Sequence, residues 1–305
     1  MTAIDVARKP WLVERLSRLL GGQPLLVERY LNQFGLVLSP HYVAEIAGAP
    51  PGKDPIFHAV GRCPVCDQPV STWTVRASTQ RLTTNEFQVV TRAEGTQGHA
   101  SVNPVLYDVT GCQACLYVSS ARSEFKSETG SDSSSPLADR VKKGLDGARA
   151  EREAVLVEIP FESIFDRPRD LTSAMLAYQM AVRCEQVKVG FDVPGSHMRL
   201  ASTRFRLATL EDLAGRTDSA NETIAAALTD VRDAYSRTED PRQAAPAAYL
   251  ALAAAIRLGE ASVASEYLQV LRGLEKTLQA DPKLKSSLRW CSQARDLWTD
   301  WRQGQ

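Results

Sequence analysis

The chain has 305 residues, of which 44% are hydrophobic, and its 36 basic side chains equal its 36 acidic side chains in number. A formal net charge of zero provides no overall field that would attract nucleic acid or an anionic membrane. The composition therefore favours neither of these partners, and the length is sufficient for two or three modules.

The start of the chain lacks the pattern of a secretory signal. Glu14 and Arg15 interrupt the short apolar run that follows Lys9. No apolar run along the chain approaches the roughly 20 residues that a membrane helix needs. We therefore expect a cytoplasmic protein with no membrane partner, whose cysteines remain reduced.

Residues 1–53 are predicted to form a small N-terminal helical unit. Leu12, Leu16 and Leu19 recur at helical spacing, and Gly21 ends this first helix. Two further short helices follow before a linker rich in Pro and Gly. Three short helices also suit a helix-turn-helix, but no recognition helix rich in Lys and Arg stands out. A packing or docking module is therefore the favoured interpretation.

Residues 55–125 are predicted to form a β domain, because β-branched residues and alternating polarity replace the helical period. A module of about 70 residues with few large aliphatic side chains cannot easily build a sufficient core, so a bound metal would supply folding energy. The predicted strands cover residues 56–61, 70–77, 87–91, 105–109 and 116–120.

Two C-x-x-C pairs in this β domain are the strongest chemical signal in the sequence. Cys63 and Cys66 form the first pair, and Cys112 and Cys115 form the second, with 45 residues between the pairs. Each pair is predicted to lie in a tight turn between two strands, and such a turn can aim both sulfurs at one point. Two facing turns would form one tetrahedral four-cysteine site, which suits a single zinc ion.

Other interpretations of these cysteines remain open at this point. They could be four unrelated buried thiols or two redox dithiols, and His58 or His99 could replace a cysteine ligand. Four thiolates would fill the coordination shell, so we expect a structural ion with no open position for a substrate. Three nearby arginines are candidates to offset its negative charge, or else are ordinary surface residues: Arg62, Arg76 and Arg122.

Residues 126–165 are predicted to be a linker. Its first part is a Ser-rich stretch, 127–136, with few hydrophobic residues. Residues 137–153 suit a solvated helix. The apolar segment 155–161 suits either an edge strand or packing onto the next domain.

Residues 166–305 are rich in Ala and Leu and are predicted to form a helical domain. A weak internal repeat occurs within it, because Gly215 recurs as Gly259 and Asp240 recurs as Asp281, each followed by a similar pattern. We interpret this as a degenerate tetratricopeptide-like repeat, with an irregular helical bundle as the alternative. The predicted helices cover residues 170–190, 196–215, 217–238, 242–258, 260–280 and 283–303.

The last predicted helix carries a stripe of tryptophans, Trp290, Trp298 and Trp301. This stripe is expected to seal the end of the helical stack, and its alternative role is to anchor a partner, since Trp is common at interface centres. The remaining cysteines, Cys184 and Cys291, have apolar neighbours at helical spacing and are predicted to be buried thiols.

Together these patterns predict an α+β protein. Its parts are a short N-terminal helical unit, a zinc-ribbon-like β module and a C-terminal α-helical tetratricopeptide-like solenoid. The flexible linker of residues 126–165 joins the last two.

Four segments of the chain also follow the pattern of a known family. They are Cys-Pro-Val-Cys at 63–66, Val-Arg-Ala-Ser at 75–78 with Arg-Leu at 81–82, Asn-Pro-Val-Leu-Tyr-Asp-Val at 103–109, which leads into the second pair, and the helical segment 177–184. They resemble the bacterial domain-of-unknown-function family numbered twenty-two twenty-five, whose members join a cysteine-paired ribbon to tetratricopeptide-like helices. The resemblance implies the ribbon and the helices, and it implies no activity. The family usually has glycine where this chain has Leu116, which we expect to tighten or tilt that turn.

From these features we expect a non-enzymatic zinc-binding adaptor or scaffold that binds a protein partner through its helical repeat. No catalytic triad, phosphate loop or pair of catalytic carboxylates stands out in the sequence. The alternative function is a nucleic-acid-associated regulator that uses the zinc ribbon, and the neutral charge argues against it. A hydrolase or redox enzyme would require an open metal position or a reactive thiol.

Overall fold

The computed structural model describes residues 53–125, 137–156 and 159–304. The predicted N-terminal helices and the Ser-rich stretch 127–136 lie outside these residues. Within them, antiparallel strand pairs come first and helices follow, which confirms the predicted α+β class. The boundaries proposed for the four domains stay predictions.

The strands of the described region form three two-stranded antiparallel sheets. Two predicted strands, 56–61 and 70–77, are confirmed by the first pair, and 116–120 is a strand over two residues only. The pairs are β1 (Ile56–Arg62) with β2 (Pro69–Val75), β3 (Gln80–Thr84) with β4 (Val90–Gly95), and β5 (Thr110–Gly111) with β6 (Val118–Ser119).

Of the predicted strand 87–91 only residues 90 and 91 belong to β4, and the predicted strand 105–109 is wrong, both for the same physical reason. Between β3 and β4, the side-chain oxygen of Asn85 accepts hydrogen bonds from the amides of Phe87 and Val89 and forms a turn. Further along, Asn103 accepts from the amide of Val105 and begins a 3-10 turn over Pro104–Leu106. In both places an asparagine side chain takes backbone donors that a strand would use for pairing.

Helices make up the rest of the described chain, and none of them combines the length and apolarity needed to cross a membrane. From residue 171 onward they agree with the predicted helices within two residues, except that residues 282–287 form a 3-10 helix before the last one. The helices are α1 (Asp139–Gly147), α2 (Arg149–Leu156), α3 (Phe161–Phe165), α4 (Leu171–Gly190), α5 (Ser196–Leu213), α6 (Thr217–Ser236), α7 (Pro241–Arg257), α8 (Ala261–Ala280) and α9 (Leu288–Gln303).

The helix predicted over residues 137–153 is confirmed as two helices, but the expectation that it is solvated is wrong. Helix α1 buries Val141 and Leu145, and α2 buries Arg152. Both helices pack against α4. Val141 and Leu145 are one helical turn apart, so a narrow apolar stripe on a mostly charged helix is sufficient to bring it into the core.

The internal repeat corresponds to two helix ends of the same design. Gly215 follows α5 with φ of +73°, and Gly259 follows α7 with φ of +75°. After each glycine, the next amide donates at 2.8 Å to the carbonyl five residues earlier, which closes the helix. The matching positions of α6 and α8 are buried: Ala220, Ile224, Ala227, Ala264, Leu268 and Leu271. The tetratricopeptide-like assignment itself stays a prediction.

The hairpin of β3 and β4 contacts the helices through its turn. The ring of Phe87 stacks on the ring of Phe205 in α5, with 4.6 Å between the centroids. The side-chain nitrogen of Asn85 donates to the Thr209 hydroxyl at 2.9 Å. Strands and helices therefore share one continuous hydrophobic core.

We expect Phe87→Ala to lower the free energy of unfolding by about 3 to 5 kcal/mol, because it leaves a cavity between the turn and α5. Leu82→Ala truncates a side chain of the same hairpin that is 38% exposed, and it should cost less than about 1 kcal/mol. Chemical denaturation of both variants measures the difference. An equal decrease in the free energy of unfolding for Phe87→Ala and Leu82→Ala would contradict the packing of the turn on the helices.

Candidate metal centre

Four cysteine sulfurs from two turns meet at one point. The Sγ atoms of Cys63, Cys66, Cys112 and Cys115 all lie within 4.8 Å of one another. Across the two turns, Cys63 Sγ lies 3.6 Å from Cys115 Sγ, and Cys66 Sγ lies 3.5 Å from Cys112 Sγ. A tetrahedral ion with metal–sulfur bonds of about 2.3 Å places its sulfurs about 3.8 Å apart. The four thiols therefore lie close enough to bind one metal ion.

The two turns have the same backbone hydrogen bonds. In the first, the amide of Cys63 donates to the carbonyl of Gln68 at 2.9 Å, and the amide of Asp67 donates to the carbonyl of Cys63 at 3.0 Å. The two corresponding bonds in the turn that begins at Cys112 both measure 2.8 Å. Each turn lies between paired strands, β1 and β2 or β5 and β6, as predicted. The arrangement fits a zinc-ribbon-like module.

The residue after each pair has a left-handed backbone. Asp67 and Leu116 both have φ of +58°, a conformation that favours glycine. Leu116 belongs to a turn whose two backbone hydrogen bonds match those of the first, and the expected tightening or tilt of that turn stays a prediction. The Leu116 side chain is buried in the shared core, and this burial offsets the cost of the backbone conformation.

Hydrogen bonds among the four sulfurs shift the pKa values of the thiols. Cys63, Cys112 and Cys115 are buried, and Cys66 is partly exposed. Hydrogen bonding to Cys112 raises the pKa of Cys63 to about 12, whereas hydrogen bonds from Cys115 and Cys63 lower the pKa of Cys112. One thiolate that accepts from its neighbours is thus stable in this cluster. Four adjacent thiolates require a cation to balance their charge.

Two arginines from the predicted linker bind the second turn. The guanidinium of Arg152 is buried and donates from Nε to the carbonyl of Leu116 at 2.9 Å and from Nη2 to the carbonyl of Cys115 at 3.1 Å. Arg149 donates from Nη1 to the carbonyl of Ala114 at 3.1 Å. These side chains hold the turn by its backbone and bring positive charge to the thiol cluster.

The sequence pointed to other arginines. Arg62 is paired with Asp67 at 3.0 Å, and the guanidinium groups of Arg76 and Arg122 lie over the ring of Phe57. No periodic signal in the sequence marks Arg152, because it lies in α2 whereas the buried Val141 and Leu145 belong to α1.

The two histidines that could have replaced a cysteine lie outside the four-sulfur cluster. His58 contacts the hydroxyl of Ser71 and packs edge-on against Trp73, with 4.9 Å between the ring centroids. His99 Nδ1 is 2.8 Å from the carbonyl oxygen of Thr96. Both side chains therefore have contacts within the β region that do not involve the sulfurs.

The remaining cysteines are buried, as predicted, and do not belong to the cluster. The Sγ of Cys184 accepts a hydrogen bond from the amide of Val118 at 3.3 Å, next to the second turn. The thiol of Cys291 donates to the carbonyl of Leu271 at 3.4 Å, which joins α9 to α8. Both thiols therefore contribute to packing between elements.

One family model covers the β region and most of the helices. The model of the family DUF2225, described as "uncharacterized protein conserved in bacteria", matches residues 57–300. The chain belongs to this family. The match includes both cysteine pairs and the helices into α9, so the resemblance seen in the sequence is confirmed. No curated protein and no solved structure matches the chain.

Two segments that carry the DUF2225 resemblance contact each other. The hydroxyl of Tyr178 in α4 donates to the carbonyl of Val105 at 3.1 Å. Just before α4, Arg169 Nη1 donates to the carbonyls of Leu106 and Val109 at 3.0 and 3.1 Å. Segment 103–109 has few backbone partners of its own in a strand, so side chains from the helical region complete its hydrogen bonding.

Arg152→Met keeps most of the side-chain volume and removes the hydrogen bonds to two buried carbonyls. We expect it to lower the free energy of unfolding by about 2 to 4 kcal/mol and to make the bound metal easier to remove with a chelator. Arg149→Met is the matched control, because that guanidinium is exposed and binds one carbonyl. Denaturation and metal competition with a coloured chelator measure both effects. If Arg149→Met lowered the free energy of unfolding and the metal retention as much as Arg152→Met, the special role of Arg152 would be contradicted.

Proposed function

We propose that the protein is a non-enzymatic adaptor in which one structural zinc ion holds the β region together and the helical region binds a protein partner. The observation that carries this proposal is the set of four sulfurs, three of them buried. Four thiolates complete a tetrahedral shell and leave no position where a substrate would bind the metal. Function would then reside in the surface that the metal stabilises.

Zinc is the ion we propose because of the donor type and geometry. Sulfur ligands in a tetrahedral arrangement select zinc or iron over magnesium or calcium, which prefer oxygen ligands. Zinc has no redox chemistry and is the usual ion of closed four-cysteine sites. In this chain it would supply charge that four crowded thiolates need, together with the buried guanidinium of Arg152.

The metal would also matter for the helices. The second cysteine turn is bonded to α2 through Arg152, and the core continues from the cysteines into α4 and α5. Loss of the ion would therefore disturb the packing of the helices as well as the turns. This coupling supports an architectural role for the metal centre.

Helix α9 offers the surface that we propose for the partner. Trp290 packs on Tyr249 of α7 with 5.1 Å between ring centroids, and it covers the core together with Trp298. Trp301 lies 5.1 Å from Trp298, remains partly exposed, and adds to this aromatic surface at the end of the chain's described part. In our proposal Trp290 and Trp298 seal the helical stack, and Trp301 is available as an interface anchor.

Metal analysis of the purified protein tests the zinc site. We expect one zinc ion per chain, and we expect the variant Cys63→Ser/Cys66→Ser to lose it and to unfold its β region. Cys291→Ser is the control, since it changes a buried cysteine outside the cluster and should retain the metal. A different ion in the native protein, or zinc retained in the double variant, would refute the assignment.

Affinity purification from native cytosol tests the adaptor role. We expect a stoichiometric protein partner whose recovery falls at least tenfold with Trp301→Ala, which corresponds to about 1.4 kcal/mol or more of binding energy. Leu213→Ala removes another exposed apolar side chain, far along the chain from α9, and should leave recovery unchanged. Repeated recovery of no partner at native concentration would count against the proposal.

A further inference from the structure

A cleft of about 630 Å³ lies where the connection between α4 and α5, the end of α6 and the start of α7 meet. Its volume falls within the range of sites that bind small molecules. None of the cysteines or tryptophans discussed above lines it. The cleft is therefore a separate feature of the helical region.

Three arginines from different elements line this cleft. Arg199 comes from α5, Arg237 follows α6, and Arg242 lies in the first turn of α7. One carboxylate, that of Asp192, is also part of the lining. Arginines that converge in this way form a common recognition site for phosphate and carboxylate groups.

The carboxylate partners of two of these arginines are easily exchanged. Arg237 pairs with Asp192 at 2.9 Å, and Arg242 pairs with Asp240 at 3.0 Å. The side chains of Arg237 and Arg242 are 58% and 64% exposed, and ion pairs at such exposure contribute little to stability. An incoming anion would therefore displace the carboxylates of Asp192 and Asp240 at little cost in free energy.

Arg199 is held more firmly. Its Nη1 donates to the carbonyl of Pro194 at 3.0 Å, and its Nε donates to the buried Glu185 carboxylate at 3.3 Å. Gly195, with φ of +73°, lets the chain turn at the start of α5 so that these contacts form. Its Nε also lies 3.6 Å from the Glu124 carboxylate, so two carboxylates hold this guanidinium and it is the least available of the three to a ligand.

His197 also lines the cleft, but its ring nitrogens face away from it. Both nitrogens are closed off from solvent and have no hydrogen-bond partner among the described residues. The carboxylate oxygen of Asp233 is 3.9 Å from Nδ1 and thus beyond hydrogen-bond distance. A ligand in the cleft would therefore contact the ring of His197 and not its nitrogens.

We propose that this cleft binds a small organic phosphate, with the phosphate group between Arg237 and Arg242 and an apolar body against Met198 and Pro246. The mixture of guanidinium groups and apolar side chains in one cleft matches a ligand with both characters. The proposal does not depend on the adaptor function.

Three probes separate the phosphate from the apolar body: phenyl phosphate, inorganic phosphate and phenol. Calorimetry on the full chain should give saturable binding of phenyl phosphate at one site, at least tenfold tighter than that of either other probe. Saturation that is absent up to about 10 mM phenyl phosphate would refute the proposal. Inorganic phosphate that binds as tightly as phenyl phosphate would indicate an adventitious ion only.

Variants of the lining test the location. Arg237→Gln/Arg242→Gln should weaken binding of phenyl phosphate at least tenfold. Arg257→Gln is the matched control, because Arg257 lies at the other end of α7 and also pairs with an aspartate, Asp212 at 2.8 Å. Equal weakening by the control would show a general charge effect and refute the site.

His197→Phe gives a second control within the lining. It removes two unpartnered nitrogens that a ligand does not reach and keeps an aromatic ring, so the melting temperature should stay the same or rise and phenyl phosphate binding should stay within about twofold. A loss of binding as large as that of Arg237→Gln/Arg242→Gln would contradict the placement of the phosphate group between the two arginines.

Discussion

Four sulfur atoms must reach one point from two hairpins that are separated by 45 residues of chain, and much of the β region serves this requirement. Each turn fixes its pair of cysteines through the same two backbone hydrogen bonds and one left-handed residue. The geometry thus depends on the backbone more than on the side chains between the cysteines. This explains why Asp67 and Leu116, which differ in size and polarity, occupy equivalent positions.

The hydrogen bonds of the β region are completed by the helices. Its strands are short, so many carbonyls have no partner in a sheet, and Arg152, Arg169 and Tyr178 donate to them from the helical side. Buried carbonyls without donors would be costly, and these side chains remove that cost. The β region and the helices therefore depend on each other for stability, although neither charge nor hydrophobic pattern in the sequence shows this dependence.

Features encoded by short-range patterns could be predicted, whereas contacts between distant segments could not. The C-x-x-C spacing predicted the four-cysteine cluster. The helical period, interrupted at Gly215 and Gly259, predicted the helices. The strand predicted at 87–91 begins only at residue 90, and the one predicted at 105–109 does not form, because Asn85 and Asn103 bind nearby amides, which apolar alternation does not reveal. Arg152 was missed because its partners lie more than 30 residues earlier in the chain, in a turn whose position only the fold determines.

The contact between Asn85 and Thr209 spans 124 residues, and this has a consequence for the protein's synthesis. A bacterial ribosome that adds about 5 to 20 residues per second needs roughly 6 to 25 seconds to reach Thr209 after it has added Asn85. During that interval the turn with Phe87 and Val89 has emerged without the helix that covers it. The nascent chain thus exposes an apolar loop before α5, which covers that loop in the folded protein, has been synthesised. Chaperones that recognise exposed apolar segments would encounter the loop during this interval.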